Sequence, residues 1–219
     1  MLIIFDCDGV LVDSEPIAAR VLARFLDDLG YPASVDGAGH HRFLGLTLGR
    51  VRDILEAETG RPLPGDFEDQ LRERDRRAFE MELQAIPDVA EVLGALTAPR
   101  CVASSGPPAK IRNSLTLTNL LGHFEPHLFS AHDPGIANGK PAPDLFLHAA
   151  RQMGARPAEC AVVEDSRAGV EAGRAAGMRV LGFSGGGHCG PDHDRDLIDA
   201  GADAVFGAMT ELPGLIKSA

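Results

Sequence analysis

Cysteine, basic side chains and long apolar runs are all scarce in this 219-residue chain. Its four cysteines show no CxxC spacing, which indicates neither a disulfide framework nor a zinc site and favours reduced thiols in the cytoplasm. The 21 basic residues against 32 acidic ones leave a net charge of −11, which disfavours nucleic acid or an anionic membrane as the main partner. No apolar run approaches the length of a membrane span, and residues 1–5 are too few for a signal peptide.

The rest of the composition is that of an ordinary globular protein, with 44% hydrophobic and 24% charged residues and no internal repeat. A chain of this length can fold as one domain or as a domain that carries an insertion. Its negative surface would repel a phosphorylated substrate, so a site for one needs local positive charge, such as a metal ion.

The chain opens on an apolar run, residues 2–5, that ends abruptly at Asp6, with Asp8 and Gly9 close behind. The run predicts a buried strand, and acids at the carboxyl end of a parallel strand lie where open α/β sheets keep their active sites. The alternative interpretation is a turn after the strand, with Asp13 and Ser14 starting a helix.

Residues 15 to about 82 show only helical patterns. The first predicted helix has Ser14 as its N-cap and ends at Gly30. A second helix follows Thr47 as its cap, and a long charged helix covers about 66–83. This stretch is therefore predicted to be all-helical.

From Pro87 onward, short apolar runs alternate with helical patterns. The predicted strands lie near residues 101–103, 128–130, 160–163, 179–183 and 204–206. Such alternation predicts right-handed crossovers and a parallel sheet that is covered on both faces. We expect an α/β fold, with a Rossmann-like core formed by residues 1–14 and 83–219 and a small helical cap domain inserted over residues 15–82.

Polar groups follow several of these predicted strands or lie in the loops between them: Asp6, Asp8, Ser104, Lys140, Glu164 and Asp165. Taken singly, Ser104 or Asp165 is an ordinary helix cap and Lys140 a solvated loop lysine. In a parallel sheet, however, all the carboxyl ends lie along one edge. A single site at that edge explains the whole set better than coincidence does.

Four stretches resemble, in order, the four motifs of the haloacid dehalogenase (HAD) superfamily. They are Asp6-Cys7-Asp8-Gly9, Ser104 after its apolar run, Lys140 in Gly139-Lys140-Pro141-Ala142-Pro143-Asp144, and Glu164-Asp165-Ser166 with Gly169. The last two are similar to the subgroup that holds β-phosphoglucomutase and many sugar-phosphate phosphatases, in which a helical cap follows the first motif.

The resemblance implies that Asp6 is the nucleophile and forms an aspartyl-phosphate. Asp8 would protonate the leaving alkoxide and then deprotonate the water that attacks the intermediate. An acid at the position of Asp8 also disfavours dehalogenase chemistry, in which no alkoxide needs a proton.

The resemblance further implies a Mg²⁺ ion bound by the Asp6 carboxylate, the Asp8 backbone carbonyl and Asp165, with Glu164 acting through water. Ser104, with Ser105 beside it, would hydrogen-bond the phosphoryl oxygens, and Lys140 would neutralise their charge. The predicted function is that of a Mg²⁺-dependent phosphatase of a small phosphorylated metabolite, a sugar or sugar-alcohol phosphate. We expect a monomer or small homo-oligomer.

Two alternatives remain open: a β-phosphoglucomutase-like isomerase and a non-catalytic binding protein on the same fold. The intact set of acids and Lys140 disfavours the binding protein. The mutases place a histidine where this chain has Ala18 and an arginine where it has Leu48, although Arg50 is near. In the mutases the histidine couples cap closure to activation of the aspartate, and the arginine grips the distal phosphate, which an aliphatic side chain cannot do. Both replacements therefore favour hydrolysis.

Two loops complete the prediction. Gly45, Leu46 and Thr47 resemble the cap loop that sets substrate specificity in this subgroup. The stretch 185–189 with His193 has no consistent ligand spacing, and we interpret it as a flexible loop after a strand.

Overall fold

The computed structural model describes residues 1–31 and 48–217. Its six strands are β1 (Leu2–Phe5), β2 (Arg100–Ser104), β3 (Leu128–Ser130), β4 (Cys160–Glu164), β5 (Arg179–Phe183) and β6 (Ala204–Phe206). They form one parallel sheet in the order β3-β2-β1-β4-β5-β6. All six predicted strands are present, and the predicted parallel α/β class is confirmed.

Nine α-helices lie in the described part of the chain. They are α1 (Glu15–Asp28), α2 (Leu48–Thr59), α3 (Phe67–Glu82), α4 (Val89–Ala95), α5 (Pro108–Leu117), α6 (Asp144–Gln152), α7 (Arg167–Ala175), α8 (His193–Asp199) and α9 (Leu212–Lys217). None of them is both long and apolar enough to cross a lipid bilayer.

Helices cover both faces of the sheet because the side chains of each strand alternate between the faces. In β1, Ile3 and Phe5 join an apolar cluster with residues of α4, α5 and α9. Leu2 and Ile4 point the other way and pack in a second cluster with residues of α6, α7 and α8. All four strand residues are buried, which explains their continuous apolar run.

The strand order places a crevice beside β1. The chain runs from β1 outward through β2 and β3, and then returns to lay β4 against the opposite side of β1. Ligands of open α/β sheets bind outside the carboxyl ends of the strands at such a reversal. Phe5 pairs with Val163 of β4 and Val102 of β2, so Asp6 emerges at this point.

The described part of residues 15–82 contains α1, α2 and α3 and no strand, as the helical pattern predicts. The Phe25 ring of α1 stacks on the Phe67 ring of α3 with centroids 5.3 Å apart. At the base of the segment, Asp13 N–H donates to the Gln84 carbonyl and Ile86 N–H to the Leu11 carbonyl, both at 3.0 Å. We call this antiparallel pair the connecting ribbon. The division into a core and a cap domain stays a prediction.

Candidate active site

Asp6 continues the line of β1 and meets the side chain of Lys140. Its backbone N–H donates to the Val163 carbonyl at 3.0 Å, which fixes it beside β4. The Lys140 ammonium lies 2.5 Å from Asp6 Oδ1 and also pairs with Glu164. The Lys140 side chain is only 2% exposed, so its charge acts with little screening by water. A lysine from the loop before α6 thus joins two strand ends, as the sequence predicts.

Glu164 is held from both sides by donors of the protein. Its Oε2 accepts from the Ser166 N–H at 3.1 Å and from the Ser166 hydroxyl at 3.0 Å, while Oε1 pairs with Lys140. The Ser166 hydroxyl in turn accepts from Gly169 N–H and caps α7. A Cβ on Gly169 would lie 1.9 Å from the Glu164 carboxyl carbon, so only glycine lets the helix approach this closely. Glu164 is therefore placed to orient Lys140.

Asp8 accepts two side-chain hydrogen bonds, one to each carboxylate oxygen. The Lys110 ammonium lies 2.8 Å from Oδ2, and the Ser14 hydroxyl donates to Oδ1 at 2.8 Å. Ser14 makes no N-cap hydrogen bond, because its backbone is already helical (φ −82°, ψ −29°) rather than extended, and its hydroxyl donates to Asp8. Burial raises the pKa of Asp8, but Lys110 and Ser14 outweigh it, and the net result is a lowered pKa.

Helix α3 contributes side chains above Lys110. The Phe79 ring centroid is 5.6 Å from Lys110 Nζ, within the range of a cation–π contact. Asp75 stands one turn earlier on α3, and its Oδ1 is buried with no hydrogen-bond partner among the described residues. Burial raises the pKa of Asp75 to about 7, opposed by Lys110 and reinforced by Asp8. The inserted segment thus faces the carboxyl edge of the sheet.

Asp165 is held by two histidines from beyond β5. His188 Nε2 lies 3.0 Å from Asp165 Oδ2, and His193 Nε2 lies 2.7 Å from the Asp165 backbone carbonyl. Gly187 N–H also donates to Asp13 at 2.9 Å. The predicted loop is present, but the structure packs it against the site rather than apart from it. A Cβ on Gly187 would lie 2.8 Å from Asp13 Oδ2, so a glycine at this position lets the loop backbone approach Asp13 this closely.

Ser104 ends β2 beside the same group. Its hydroxyl accepts from Gly106 N–H at 3.1 Å, and its side chain is buried. A Cβ on Gly106 would lie 3.5 Å from Ser104 Oγ and 3.9 Å from Asp8 Oδ2, so the two groups are neighbours. Ser105 is half-buried next to it. Gly45, Leu46 and Thr47 lie outside the described residues, as does the predicted cap at Thr47.

Four carboxylates, those of Asp6, Asp8, Glu164 and Asp165, share this space with two ammonium groups, those of Lys110 and Lys140. Burial, followed by repulsion from neighbouring acids, raises the pKa values of Asp6 and Asp165, while Lys140 opposes the rise. Asp165 Oδ2 lies so close to Gly9 that a Cβ there would be 1.9 Å away. Crowded carboxylates beside a backbone with no side chain fit a hard divalent cation such as Mg²⁺.

The sequence profile of haloacid dehalogenase-like hydrolases matches residues 1–177. The chain belongs to this family. The predicted superfamily, its fold and the hydrolase class are therefore confirmed.

Relatives of this hydrolase match it over nearly its whole length. The 6-phosphogluconate phosphatase of Escherichia coli is 36% identical over 99% of this chain and 94% of its own. A phosphorylated carbohydrates phosphatase from Thermotoga maritima is 31% identical over 93% and 92%. A conserved haloacid dehalogenase-like protein from Agrobacterium tumefaciens has a crystal structure that superposes with a TM-score of 0.88 at 44% identity, covering 99% and 97% of the two chains.

Three residues of this site are absent from the sequence prediction: Lys110, Asp75 and His188 as a partner of Asp165. Lys110 lies inside a helix, six residues after Ser104, where nothing in the spacing marks it. Asp75 stands among alternating charges that mostly form surface ion pairs. For His188, the available signal is three glycines directly before a histidine, a pattern typical of a backbone that must approach another closely.

Proposed function

We propose that this hydrolase is a Mg²⁺-dependent phosphatase that acts on a small phosphorylated metabolite, a sugar or sugar-alcohol phosphate, through an aspartyl-phosphate on Asp6. The observation that carries the proposal is the buried bridge from Lys140 to Asp6 and Glu164 at the strand-order reversal. Two relatives are named as phosphatases of 6-phosphogluconate and of phosphorylated carbohydrates. A hydrolase from Deinococcus radiodurans, 32% identical with a TM-score of 0.80 over 99% of this chain and 95% of that one, was solved with bound phosphate.

In the proposed reaction, Asp6 attacks the phosphorus while Asp8 gives a proton to the leaving alkoxide. Lys140 lowers the pKa of Asp6 against the effect of burial, which favours the ionised nucleophile. Asp8 then takes a proton from the water that hydrolyses the intermediate. Ser104 and Ser105 hydrogen-bond the phosphoryl oxygens, and Lys140 stabilises the charge that develops on them.

Asp6, the Asp8 backbone carbonyl and Asp165 are the proposed Mg²⁺ ligands, with Glu164 acting through water. The bound cation supplies charge neutralisation for the phosphoryl group and for the crowded acids. Glu164, with both oxygens engaged by Lys140 and Ser166, keeps the Lys140 ammonium aimed at Asp6.

Residues 15–82 are proposed to act as a cap over this site, with α3 nearest to Asp8 and the loop at 45–47 contributing to specificity. Closure of the cap would exclude bulk water during the acid step. The four cysteines are free thiols, in keeping with a cytoplasmic enzyme. The acidic charge disfavours nucleic acid or membrane partners, and we propose a monomer or small homo-oligomer.

Hydrolysis is favoured over the mutase alternative by the environment of the two replaced positions. Ala18 and Leu48 are partly buried and pack against the apolar cluster that contains Ile3 and Phe5 of β1. Neither side chain can donate a hydrogen bond to the second phosphate that a mutase must hold. Incubation with β-glucose 1-phosphate and catalytic 1,6-bisphosphate distinguishes the two: glucose 6-phosphate forming faster than inorganic phosphate would establish the mutase.

The main test is release of inorganic phosphate from a panel of phosphorylated sugars, sugar acids and sugar alcohols in the presence of Mg²⁺. We expect turnover of at least one compound by the wild-type enzyme and background rates for Asp6→Asn, which keeps the shape of the nucleophile but not its charge. Asp199→Asn, an exposed acid on α8, serves as the control and should keep wild-type turnover. Equal rates for Asp6→Asn and the wild type would exclude the covalent route.

A further inference from the structure

The loop after β5 and the start of α8 bring together three side chains of the kind that bind soft metals. Potential ligand atoms of His188, Cys189 and His193 all lie within 4.8 Å of one another. In sequence the three form a His-Cys pair followed, after three residues, by a second histidine, which is not a familiar zinc spacing. The cluster arises because the loop folds back onto Asp165.

The spacing between His188 and Cys189 fits a shared metal ion. His188 Nε2 lies 3.4 Å from Cys189 Sγ. With metal bonds of about 2.1 Å to nitrogen and about 2.3 Å to sulfur, tetrahedral geometry separates such atoms by roughly 3.6 Å. An ion between these two atoms therefore requires a shift of only a few tenths of an ångström, and the ligand atom of His193 lies within 4.8 Å of the other two.

The His188 ring is buried, and its polar contacts are made through Nε2. The ring is 5% exposed, and its Nδ1 has no hydrogen-bond partner among the described residues. Buried imidazole nitrogens are normally both hydrogen-bonded. In this ring only Nε2 has polar partners among the described residues. Nε2 meets a carboxylate oxygen and a thiol, both of them metal-ligand atoms.

We propose that His188, Cys189 and His193 form a second metal site that takes a thiophilic divalent cation of the Zn²⁺ class. A thiol and two imidazoles select such an ion over Mg²⁺, which prefers oxygen ligands. His193 Nε2 donates to the Asp165 carbonyl, in keeping with ligating histidines, which donate their second N–H to such acceptors. The proposal does not depend on the phosphatase reaction.

Titration of untagged, metal-stripped protein with Co²⁺, followed by absorption spectroscopy, tests the proposal. With excess Mg²⁺ present to fill the carboxylate site, we expect a thiolate-to-cobalt charge-transfer band that saturates at one Co²⁺ per chain, and displacement of that Co²⁺ by Zn²⁺. Cys189→Ser should abolish the band and weaken Zn²⁺ binding at least tenfold. Cys160→Ser is the matched control and should keep both, since a hydroxyl can replace its thiol bond to the Arg156 carbonyl, 3.3 Å away.

A wild-type protein without a thiolate band, or a band that persists in Cys189→Ser, would overturn the assignment. Loss of the band in Cys160→Ser would equally overturn it. Circular dichroism checks that each variant folds. If Cys189→Ser does not fold, His193→Asn replaces it, and an unchanged Zn²⁺ affinity in that variant rejects the site.

Discussion

The Lys110 ammonium lies 2.8 Å from Asp8 Oδ2, and the two groups form an ion pair between a helix and the loop after β1. Lys110 and Lys140 are two of only three lysines in the chain, and both contact acids of the candidate site. Each therefore lowers the pKa of one acid: Lys140 that of Asp6, against the larger effect of burial, and Lys110 that of Asp8. The third, Lys217, lies far away in sequence and is exposed on the last helix.

Replacing Lys110 by Met is expected to shift the basic limb of the pH profile of kcat/KM upward. Lys110 lowers the pKa of Asp8, so its removal raises that pKa, and the protonated acid that the first step needs persists to higher pH. An opposite charge at this distance shifts a pKa by about 1–3 units, so we expect a displacement of about one unit. Lys217→Met is the control. Equal pH profiles for the two variants would show that Lys110 does not lower the pKa of Asp8.

Removal of divalent metal is expected to abolish turnover, because the acids of the site then repel both one another and the substrate. Dialysis against EDTA should reduce phosphate release to background, and added Mg²⁺ should restore it. Asp165→Asn should raise the Mg²⁺ concentration needed for half-maximal activity by about 10-fold or more. Asp199→Asn should leave it unchanged. Full activity in EDTA would contradict the metal requirement.

Gly169→Ala is expected to destabilise the protein, although alanine is the better helix former. Its Cβ would lie 1.9 Å from Glu164, and relieving such overpacking costs about 1–3 kcal/mol. The matched control is Gly94→Ala, also in a helix but with nothing within 4 Å of the new Cβ. That change should stabilise by about 0.5–1 kcal/mol. Urea unfolding measures both, and effects of the same sign would contradict the close packing.

Asp75→Asn is expected to stabilise the protein increasingly as the pH rises from 5 to 8. The folded pKa of Asp75, about 7, lies above the usual 3.8, so folding takes up a proton in this range. Stability of the wild type then falls as pH rises, whereas the amide carries no such penalty. Allowing for partial contact with water, the gain at pH 8 is about 1–2 kcal/mol.

Urea unfolding at several pH values measures this difference. The control is Asp69→Asn, on the same helix but 82% exposed and paired with Arg72. A surface change of this kind stays within about 0.5 kcal/mol at every pH. A constant difference between Asp75→Asn and the wild type would show that Asp75 carries no buried charge.

The sheet and its strand-end residues could be predicted from sequence because each rests on a local pattern. The apolar runs before Asp6, Ser104 and Glu164 define buried strands, and the residues that come directly after parallel strands all emerge at one edge of the sheet. Ser104, Lys140 and Glu164 therefore converge with Asp6 as predicted. Helix boundaries agree to within a few residues wherever the chain is described.

The contacts that helix and loop side chains make could not be predicted from the sequence in the same way. Ser14 fits the pattern of an N-cap, yet its backbone is already helical and its buried hydroxyl donates to Asp8. Lys110 and Asp75 look like any charged helix residue, since periodicity tells which face a residue takes but not which group lies opposite. His188 reaches Asp165 because of the path that its loop takes. Three consecutive glycines allow many backbone conformations, so the sequence does not determine this path.

The helical segment leaves and rejoins the sheet through the connecting ribbon, where Asp13 meets Gln84 and Leu11 meets Ile86. Two points already held side by side tolerate chains of very different length between them, since each doubling costs only about 0.6 kcal/mol of closure entropy. Whole helices can thus be gained, lost or exchanged at this position at small cost in folding free energy. Such exchanges alter the side chains that stand over Asp8 and leave the strand ends where they are.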